Sequence, residues 1–257
     1  MLNLKELDIY AKKFKINQTV VYREFIQLVF LKEFYNLGWS DKVFFKGGTS
    51  IRLLFGGSRF SEDLDFTVML DKTVFELKIN DFWKYLEKTY GWQVKKRKTI
   101  VGEKYLLTVK EDGLSYGIFI NLDFSFREEV CCPDKSVIKT DYPVIFTSFV
   151  HHLSKEEILA EKIRATMTRE KGRDIYDLWF LLNSGVVIKD NLVLKKLNYC
   201  KITEFNRKSL IDKISKFPKK QFVLDLKPFV PVDQRERLEE FYDYVLAFIG
   251  KSVTLRN

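Results

Sequence analysis

Cysteine, histidine and proline are scarce in this chain of 257 residues, which contains three, two and five of them respectively. Three cysteines, of which Cys131 and Cys132 are adjacent, cannot form a disulfide framework and lack the paired CxxC spacing of a zinc site. No apolar run approaches the ~18 residues that are needed to span a bilayer. The charged start of the chain also lacks the small-residue cleavage site of a signal peptide. These absences predict a soluble, reduced protein of the cytoplasm that has no membrane partner.

Apolar and basic residues are abundant. Apolar side chains make up 46% of the chain and aromatic ones 15%, which excludes a disordered polar protein and provides for a sizeable core. The 44 Lys and Arg residues outnumber the 35 Asp and Glu residues, which gives a net charge of +9. Residues 190–257 hold 14 basic and 9 acidic side chains, and therefore carry +5 of that charge. A basic surface suits a polyanion such as RNA, DNA or a nucleotide, but general solubility explains the charge equally well.

Hydrophobic periodicity divides the chain into a helical start, a mixed α/β middle and a helical remainder. The helical pattern covers the first 38 residues and returns at Ser154, which has the form of a capping box with Glu157. The predicted strands are Val43–Phe45, Leu64–Leu70, Trp92–Lys98, Lys104–Val109 and Tyr116–Phe126. The other predicted helices are Thr49–Phe55, Thr73–Tyr90, one from Ser154 to about Glu170 and one from about Arg173 to Gly185. Turn signals at Gly102 and Asp112-Gly113 predict that the last three strands are antiparallel neighbours.

These elements predict an α+β fold in which a mixed β-sheet flanked by helices is followed by a mainly helical C-terminal lobe. The two lobes are predicted to cover residues 1–150 and 151–257. The adjacent His151 and His152 lie at this boundary, and neighbouring residues do not share a face of a strand or helix. We therefore predict that they form a loop pair without a joint metal role.

The segment Arg59-Phe60-Ser61-Glu62-Asp63-Leu64-Asp65-Phe66 places two carboxylates two residues apart. In an extended strand, Asp63 and Asp65 project to one face while Leu64 and Phe66 project to the other, toward a core. Two like charges held that close repel each other and favour a cation between them. Hard carboxylate oxygens suit Mg²⁺ or Mn²⁺. The pattern predicts a divalent-metal site, although such a pair read alone is more often a turn or a surface feature.

A glycine pair precedes the acidic pair, in the segment Lys46-Gly47-Gly48-Thr49-Ser50. Because Gly47 and Gly48 have no Cβ atoms, their backbone can approach a phosphate closely. The helix that follows points its N-terminus at the anion, and the hydroxyls of Thr49 and Ser50 add donors. A glycine pair alone is typical of a tight turn. The phosphate site is therefore predicted from the glycine pair together with the acidic pair that follows it.

A third carboxylate, Asp123, is the one acidic side chain in a run that otherwise reads as a buried strand, Ile120–Phe126. Nucleotidyl transfer by two metals needs ions roughly 3.5–4 Å apart. Two carboxylates on one strand and a third on its neighbour can supply the ligands for both ions. We therefore predict Asp123 as a metal ligand, with a solvated strand edge as the alternative.

Lys162 lies on the apolar stripe of its predicted helix, between Ile158 and Leu159 on the helical wheel. A lysine in this position must extend to solvent or meet an anion. A triphosphate would satisfy it, and so would a purely structural ion pair with Asp174 or Asp177. These two carboxylates share a helix face, and Asp174 could equally cap its helix.

Four segments, KGGTSIRLLF, RFSEDLDF, NLDFSF and LAEKIRATMTREKGRDIYDLWFLL, together resemble the AbiEii/AbiGii-type nucleotidyltransferase toxins of the polymerase-β-like nucleotidyltransferase superfamily. The resemblance covers roughly residues 20–185, and the last 70 residues carry no matching motif. It implies a nucleotidyltransferase lobe followed by a helical lobe. It also implies the toxin of a toxin–antitoxin or phage-defence (abortive infection) system, with a cognate antitoxin as partner.

The resemblance also implies roles for the motif residues. Phosphate binding falls to Gly47, Gly48 and Thr49 or Ser50, metal binding to Asp63, Asp65 and Asp123, phosphate contact to Lys162 and its orientation to Asp174. The neighbouring Lys46, Arg59 and Ser61 complete the predicted nucleotide-binding set. The implied reaction uses an NTP bound between the lobes and Mg²⁺ (or Mn²⁺), and it transfers NMP to an acceptor such as a tRNA 3′ end.

Two questions stay open at this stage. An NTP-binding toxin, or a phosphotransferase that acts on a protein partner, is the alternative function. The basic tail, residues 190–257, contains the pairs Lys195-Lys196, Arg207-Lys208 and Lys219-Lys220, which either grip the acceptor RNA or form ordinary solvated helix faces.

Overall fold

The computed structural model describes residues 1–110 and 117–255 of the chain. The predicted turn at Asp112-Gly113 and the first residue of the predicted strand Tyr116–Phe126 lie outside the described residues. The chain divides into two compact units, Met1–His152 and Leu153–Asn257. Within the described part of the chain, no helix combines the length and the hydropathy that crossing a membrane requires.

The described residues of unit 1 form four helices and, together with Leu153, a seven-stranded sheet. The helices are α1 (Leu4–Phe14), α2 (Gln18–Tyr35), α3 (Gly47–Phe55) and α4 (Lys72–Tyr90), with a short 3₁₀ helix at Ser40–Lys42. The strands are β1 (Val43–Lys46), β2 (Leu64–Val68), β3 (Gln93–Arg97), β4 (Glu103–Val109), β5 (Ile118–Ser125), β6 (Pro133–Ser136) and β7 (Val150–Leu153). The strand order is β3-β4-β5-β2-β1-β7-β6. The three strands predicted as antiparallel neighbours, β3, β4 and β5, pair in that way.

The centre of the sheet is mixed, because β2 pairs parallel with β5 and antiparallel with β1. One face packs an aromatic core against α2 and α4, in which the rings of Phe66 and Phe124 stack at 4.9 Å between centroids. Phe34 of α2 and Phe82 of α4 contact each other at 5.6 Å over this face. Because α2 is apolar around most of its circumference, it is largely buried.

Two strands, β6 and β7, were not predicted from the sequence, and they correct the prediction that the histidines form a loop pair. His151 and His152 lie in β7, where His152 pairs with Phe45 of the parallel neighbour β1. His152 is fully buried, and its Nε2 lies 3.0 Å from the hydroxyl of Ser136 in β6. Both strands have four residues, too few for a period-two pattern, and Pro133 at the start of β6 is typical of a sheet edge.

Unit 2 is helical. Its helices are α5 (Lys155–Thr168), α6 (Gly172–Asn183), α7 (Asp190–Asn198), α8 (Arg207–Ser215), α9 (Lys219–Leu226) and α10 (Leu238–Leu255), with 3₁₀ helices at Lys227–Phe229 and Val232–Arg237. Ser154 caps α5 by accepting a hydrogen bond from the Glu157 backbone N–H at 3.3 Å. Gly172 lets α6 approach α9 closely, because a Cβ atom there would lie 2.8 Å from the Cα atom of Phe222.

Candidate active site

Strand register builds a row of charged side chains across the centre of the sheet in unit 1. Asp65 of β2 lies directly opposite Asp123 of β5 on one side and Lys46 of β1 on the other. Asp123 in turn lies opposite Lys104 of β4. Residues directly opposite each other in a sheet project to the same face. The row therefore runs Lys104, Asp123, Asp65, Lys46.

Asp63 lies on the same face, one step along the sheet from this row. Its Oδ1 accepts a hydrogen bond of 2.9 Å from the side-chain amide of Asn121, two residues before Asp123. Leu64 and Phe66 are fully buried on the opposite face. Asp63 lies immediately before β2, and its bond to Asn121 places it on the side of the sheet that carries Asp123 and Asp65. A shared metal site of Asp63 and Asp65 stays a prediction.

Asp123 is held in an ion pair. Its Oδ2 lies 2.7 Å from the Nζ atom of Lys104, and the two side chains are 32% and 48% exposed. The sequence analysis did not single out Lys104, because no pattern within one strand reveals which residue lies opposite on the next. Among the described residues, no three His, Cys, Asp or Glu side chains are grouped closely enough to hold a metal ion.

A divalent cation nevertheless fits the donor set of Asp63 and Asp65. Both side chains offer hard anionic oxygens on one face, and both are only partly buried, so a hydrated ion can reach them. Magnesium keeps several water ligands and is commonly bound by one or two carboxylates together with substrate phosphates. Lys104 contacts Oδ2 of Asp123, so Asp123 can still join such a site through Oδ1.

The glycine turn is packed against these carboxylates. Gly47 begins α3 with φ +81°, a left-handed conformation that L side chains rarely adopt. A Cβ atom at Gly47 would overlap the Asp65 carboxylate, and one at Gly48 would overlap the guanidinium of Arg59. Ser61 also lies against Gly48, with its Oγ 3.0 Å from the position of such a Cβ atom. Gly47 is therefore required for the helix N-terminus to lie beside Asp65, whereas a side chain at Gly48 would displace the end of the Arg59 side chain.

Replacing Gly47 with Ala tests this close packing. We expect a loss of about 1–3 kcal/mol in unfolding free energy from the backbone strain, together with displacement of Asp65 and weaker NTP binding. Gly56→Ala is the matched control, since Gly56 also has a positive φ (+76°) but no atom within 4 Å of its Cβ position. Calorimetric titration with NTP should show the affinity loss in the Gly47 variant alone. Equal NTP affinity in both variants would contradict the role of this turn.

Thr49 and Ser50 are buried, and their hydroxyls hold the turn from inside. The Thr49 hydroxyl donates to the backbone carbonyl of Asp63. The Ser50 hydroxyl donates to the carbonyl of Gly47 at 2.8 Å. In the described arrangement these two hydroxyl protons fix the loop geometry, and the phosphate role of Thr49 and Ser50 stays a prediction.

The two predicted cations next to the turn are also buried. Lys46 Nζ lies 3.1 Å from Oε2 of Glu128, and the two side chains are 10% and 0% exposed. Arg59 donates to the Phe60 carbonyl at 3.0 Å. Sequence reasoning missed Glu128, because it lies just after β5 in the run Arg127-Glu128-Glu129, where nothing distinguishes it from Glu129.

In unit 2, Lys162 lies between two buried carboxylates of α6. Its Nζ atom is 3.0 Å from Oδ1 of Asp174 and 2.6 Å from Oδ2 of Asp177. Arg169 also contacts Asp174, through Nε at 2.7 Å and Nη2 at 3.0 Å. Burial alone would raise the pKa of Asp174, but the Lys162 ammonium and the Arg169 guanidinium hold that pKa well below its usual range. These contacts are the ones expected if Lys162 forms a purely structural ion pair with Asp174 and Asp177. A phosphate role for Lys162 stays a prediction.

A second buried ion cluster lies on α5. Lys196 of α7 is fully buried and contacts Glu157 at 2.5 Å and Glu161 at 3.4 Å. Sequence analysis assigned Lys196 to a surface pair in the basic tail. The packing of α7 against α5 buries this lysine, and no pattern within α7 alone predicts that packing.

A mixed sheet with flanking helices, an acidic face and an adjoining glycine turn defines a nucleotidyltransferase fold. The chain belongs to the AbiEii family of nucleotidyltransferase toxins of type IV toxin–antitoxin systems, whose profile matches residues 29–244. This membership confirms the predicted resemblance and the α+β fold class.

Solved structures show the same fold. MenT4, a nucleotidyltransferase toxin from Mycobacterium tuberculosis H37Rv, aligns with a TM-score of 0.63 at 17% identity, over 97% of this chain and 90% of its own. JHP933 from Helicobacter pylori aligns with a TM-score of 0.57 at 18% identity, over 93% of each chain. No curated protein matches the chain at a significant level.

Proposed function

We propose that this toxin transfers a nucleoside monophosphate from an NTP to a hydroxyl group of RNA, with a tRNA 3′ end as the acceptor. The observation that carries the proposal is the packing of the Gly47 turn directly against Asp65. This packing puts a phosphate-binding helix N-terminus next to a carboxylate pair that suits a metal. Transfer of this kind needs positioning and charge neutralisation rather than a covalent enzyme intermediate.

Each group in the site then has a task. The backbone N–H groups at the start of α3 bind the triphosphate, and the left-handed Gly47 keeps that helix end in contact with Asp65. Asp63 and Asp65 would hold Mg²⁺ (or Mn²⁺), which supplies charge neutralisation at the α-phosphate when bound. Asp123, which lies opposite Asp65 on β5, would act as a further metal ligand or as the base that receives the proton of the attacking hydroxyl. The buried side chains of Lys46 and Arg59 lie next to the Gly47-Gly48 turn and support it.

Unit 2 offers a basic cleft for the acceptor. The cleft has a volume of about 230 Å³ and is lined by Thr166, Arg169, Glu170, Lys171, Ile175, Lys213, Lys216, Phe217 and Pro218. The one acidic side chain, Glu170, is paired with Lys213 at 3.1 Å. Lys171 and Lys216 form no ion pair with any residue that the structure describes. Phosphodiester groups complement this charge.

The basic pairs predicted in the tail are less available for RNA binding than the lysines that line the cleft. One member of each pair is already bound to a carboxylate: Lys196 to Glu157 (2.5 Å), Arg207 to Asp190 (2.9 Å) and Lys219 to Asp243 (2.7 Å). This shifts our expectation for RNA binding from Lys219-Lys220 to Lys171 and Lys216.

Reversing the charge of Lys171 and Lys216 together should therefore weaken RNA binding. If each lysine neutralises one phosphate, the slope of log affinity against log salt falls by about two. NTP affinity should hardly change. The matched control reverses Lys219 and Lys220, which alters the net charge equally in the same unit. Fluorescence anisotropy with labelled tRNA measures both variants, and an equal loss in the two would show that overall charge, and not the cleft, binds the RNA.

Family membership also implies a cognate antitoxin as partner. The alternative function is an NTP-binding toxin, or a phosphotransferase that acts on a protein partner.

Position-specific labelling of the NTP distinguishes these functions. Nucleotidyl transfer moves the α-phosphate to the acceptor and releases pyrophosphate, whereas phosphotransfer moves the γ-phosphate. With [α-³²P]NTP and total tRNA, we expect label in the RNA, and with [γ-³²P]NTP we expect none. Label from the γ-position in RNA or protein would contradict the proposed function. Binding of NTP without transfer of either label would favour the non-catalytic alternative.

A further inference from the structure

One face of the strands β3, β4 and β5 is exposed and continues the active site along the sheet. Alternate residues such as Tyr105, Leu107 and Ile120 are buried on the other face, toward the aromatic core. The residues between them, on the face that carries Asp123, are all exposed or half-buried. We call this surface the open face, and it is formed by the outward side chains of Gln93–Arg97, Lys104–Thr108 and Phe119–Asp123.

Two cations of the open face lie on β3. Arg97 lies directly opposite Lys104, and Lys95 lies two residues from Arg97 on the same face. Like charges directly opposite each other in a sheet repel. Lys104 is compensated by Asp123 at 2.7 Å, whereas neither Lys95 nor Arg97 forms an ion pair within residues 1–110 and 117–255. The charge on β3 therefore complements an anionic partner.

Lys96, which lies between these two cations, is bound differently. It projects to the other face, where its ammonium contacts Glu76 at 3.1 Å and Glu103 at 2.6 Å. Basic residues on an edge strand also discourage pairing with the strands of other molecules, but that role makes no difference between the two faces. The contrast between the paired Lys96 and its neighbours Lys95 and Arg97 is what a ligand-binding face requires.

An aromatic ring lies on the open face as well. Phe119 of β5 is 52% exposed, and it precedes Asp123 by four residues, which is about 13 Å along the strand. An exposed ring near cations is the arrangement with which proteins bind single-stranded nucleic acids, because bases stack on the ring and phosphates contact the cations. Protein interfaces are depleted of lysine, so the cations favour RNA over a protein partner.

We propose that the open face binds the single-stranded end of the acceptor RNA. One base stacks on Phe119, phosphates contact Lys95 and Arg97, and the RNA follows β5 toward Asp123. A single-stranded end is required, since only unpaired bases can lie flat on a side-chain ring. The inference rests on the proposed function and names the surface that presents the reacting hydroxyl. The cleft of unit 2 would bind other phosphates of the same RNA.

Fluorescence anisotropy with a short labelled single-stranded RNA tests the proposal on the full chain. Phe119→Ala should weaken binding by roughly 5- to 150-fold, which is the effect of losing one stacked base, without changing the salt dependence. Phe119→Trp keeps a ring and should bind at least as well as the native chain. Lys95→Gln combined with Arg97→Gln should reduce the slope of log affinity against log salt by about 1.4, because each phosphate contact to a single strand contributes about 0.7.

Matched controls come from elsewhere in unit 1. Lys78→Gln combined with Lys88→Gln removes the same charge from two exposed lysines of α4, which packs on the buried face of the sheet. Phe149→Ala removes a ring that is 53% exposed and precedes β7, a strand that β2 and β1 separate from β5. Both controls should bind the RNA like the native chain. Equal losses in variants and controls would overturn the proposal, since overall charge and exposed apolar area would then explain the binding.

The remaining outcomes separate this inference from the proposed function. Unchanged RNA affinity in Phe119→Ala and in the Lys95 and Arg97 double variant would overturn the role of the open face, while transfer of label from [α-³²P]NTP by the native chain would still support nucleotidyl transfer. No binding of the single-stranded RNA by the native chain would also overturn it and leave the face to a protein partner. The expected binding losses without label transfer by the native chain would contradict the proposed function and keep the open face as an RNA-binding surface.

Discussion

Replacing Asp65 with Asn should abolish nucleotidyl transfer while the protein stays folded. The substitution keeps the shape of the side chain but removes the charge that lies against the Gly47 turn and opposite Asp123. Loss of one preorganised electrostatic group at a reacting centre typically costs about 10²–10³-fold in rate. Because Asp65 is only partly buried and Asn keeps its shape, we expect a change of about 1 kcal/mol or less in unfolding free energy. Asp63→Asn should behave in the same way.

Glu62→Gln is the control for this prediction. Glu62 is one residue from Asp63 and carries the same charge, but it is paired with Arg23 at 3.2 Å rather than placed in the row. Its loss should leave the transfer rate within about twofold of the native rate, because its charge is already neutralised by Arg23 and it lies outside the row. Full transfer by Asp65→Asn, measured with [α-³²P]NTP, would refute the assignment of the acidic face.

The largest expected effect on stability comes from Lys162. Its side chain is 9% exposed, and the two carboxylates that it contacts are 3% and 1% exposed. Removing one partner from a buried ion pair typically costs about 3–5 kcal/mol, since it leaves buried charge without compensation. Lys162→Met should therefore lower the unfolding free energy by about that amount in a denaturant titration.

A second substitution separates the structural from the functional role of Lys162. Lys162→Met combined with Asp177→Asn removes one positive and one negative charge and leaves Asp174 paired with Arg169. This double variant should recover most of the lost stability. If Lys162 also contacts the triphosphate, NTP affinity stays low in the stable double variant. Normal NTP affinity there would show that the ion pair is purely structural.

Lys196→Met provides the matched control for the Lys162 series. Lys196 is fully buried and contacts Glu157 and Glu161 in the same unit, but no sequence motif connects it with nucleotide binding. Its loss should destabilise the protein similarly and leave the NTP affinity of the folded protein unchanged. A loss of NTP affinity equal to that of Lys162→Met would mean that destabilisation alone explains the binding defect.

The parts of the site that sequence predicted are local in the chain. Alternation along a strand places Asp63 and Asp65 on one face, and the glycine pair marks the start of α3. Both follow from neighbours within a few residues. The helical position of Lys162 on an apolar stripe likewise predicted that this lysine meets an anion, but it left open which one.

The parts that sequence could not predict depend on register and packing. Nothing within β4 indicates that Lys104 lies opposite Asp123, because pairing is set by the whole sheet. The same holds for Glu128, which meets Lys46 from a segment 82 residues away. Thr49 and Ser50 read as phosphate donors from their position, yet the folded loop uses their hydroxyls to hold its own backbone.

The most direct test of nucleotidyl transfer is the intact mass of the acceptor. Purified tRNA is incubated with the native protein and a single NTP at a time, and its mass is determined together with the pyrophosphate released. The account predicts that at least one NTP increases the tRNA mass by one or more whole nucleoside monophosphates, with one pyrophosphate for each, and that Asp65→Asn produces neither. An unchanged tRNA mass with every NTP, or a gain equal to a phosphate group alone, would contradict it.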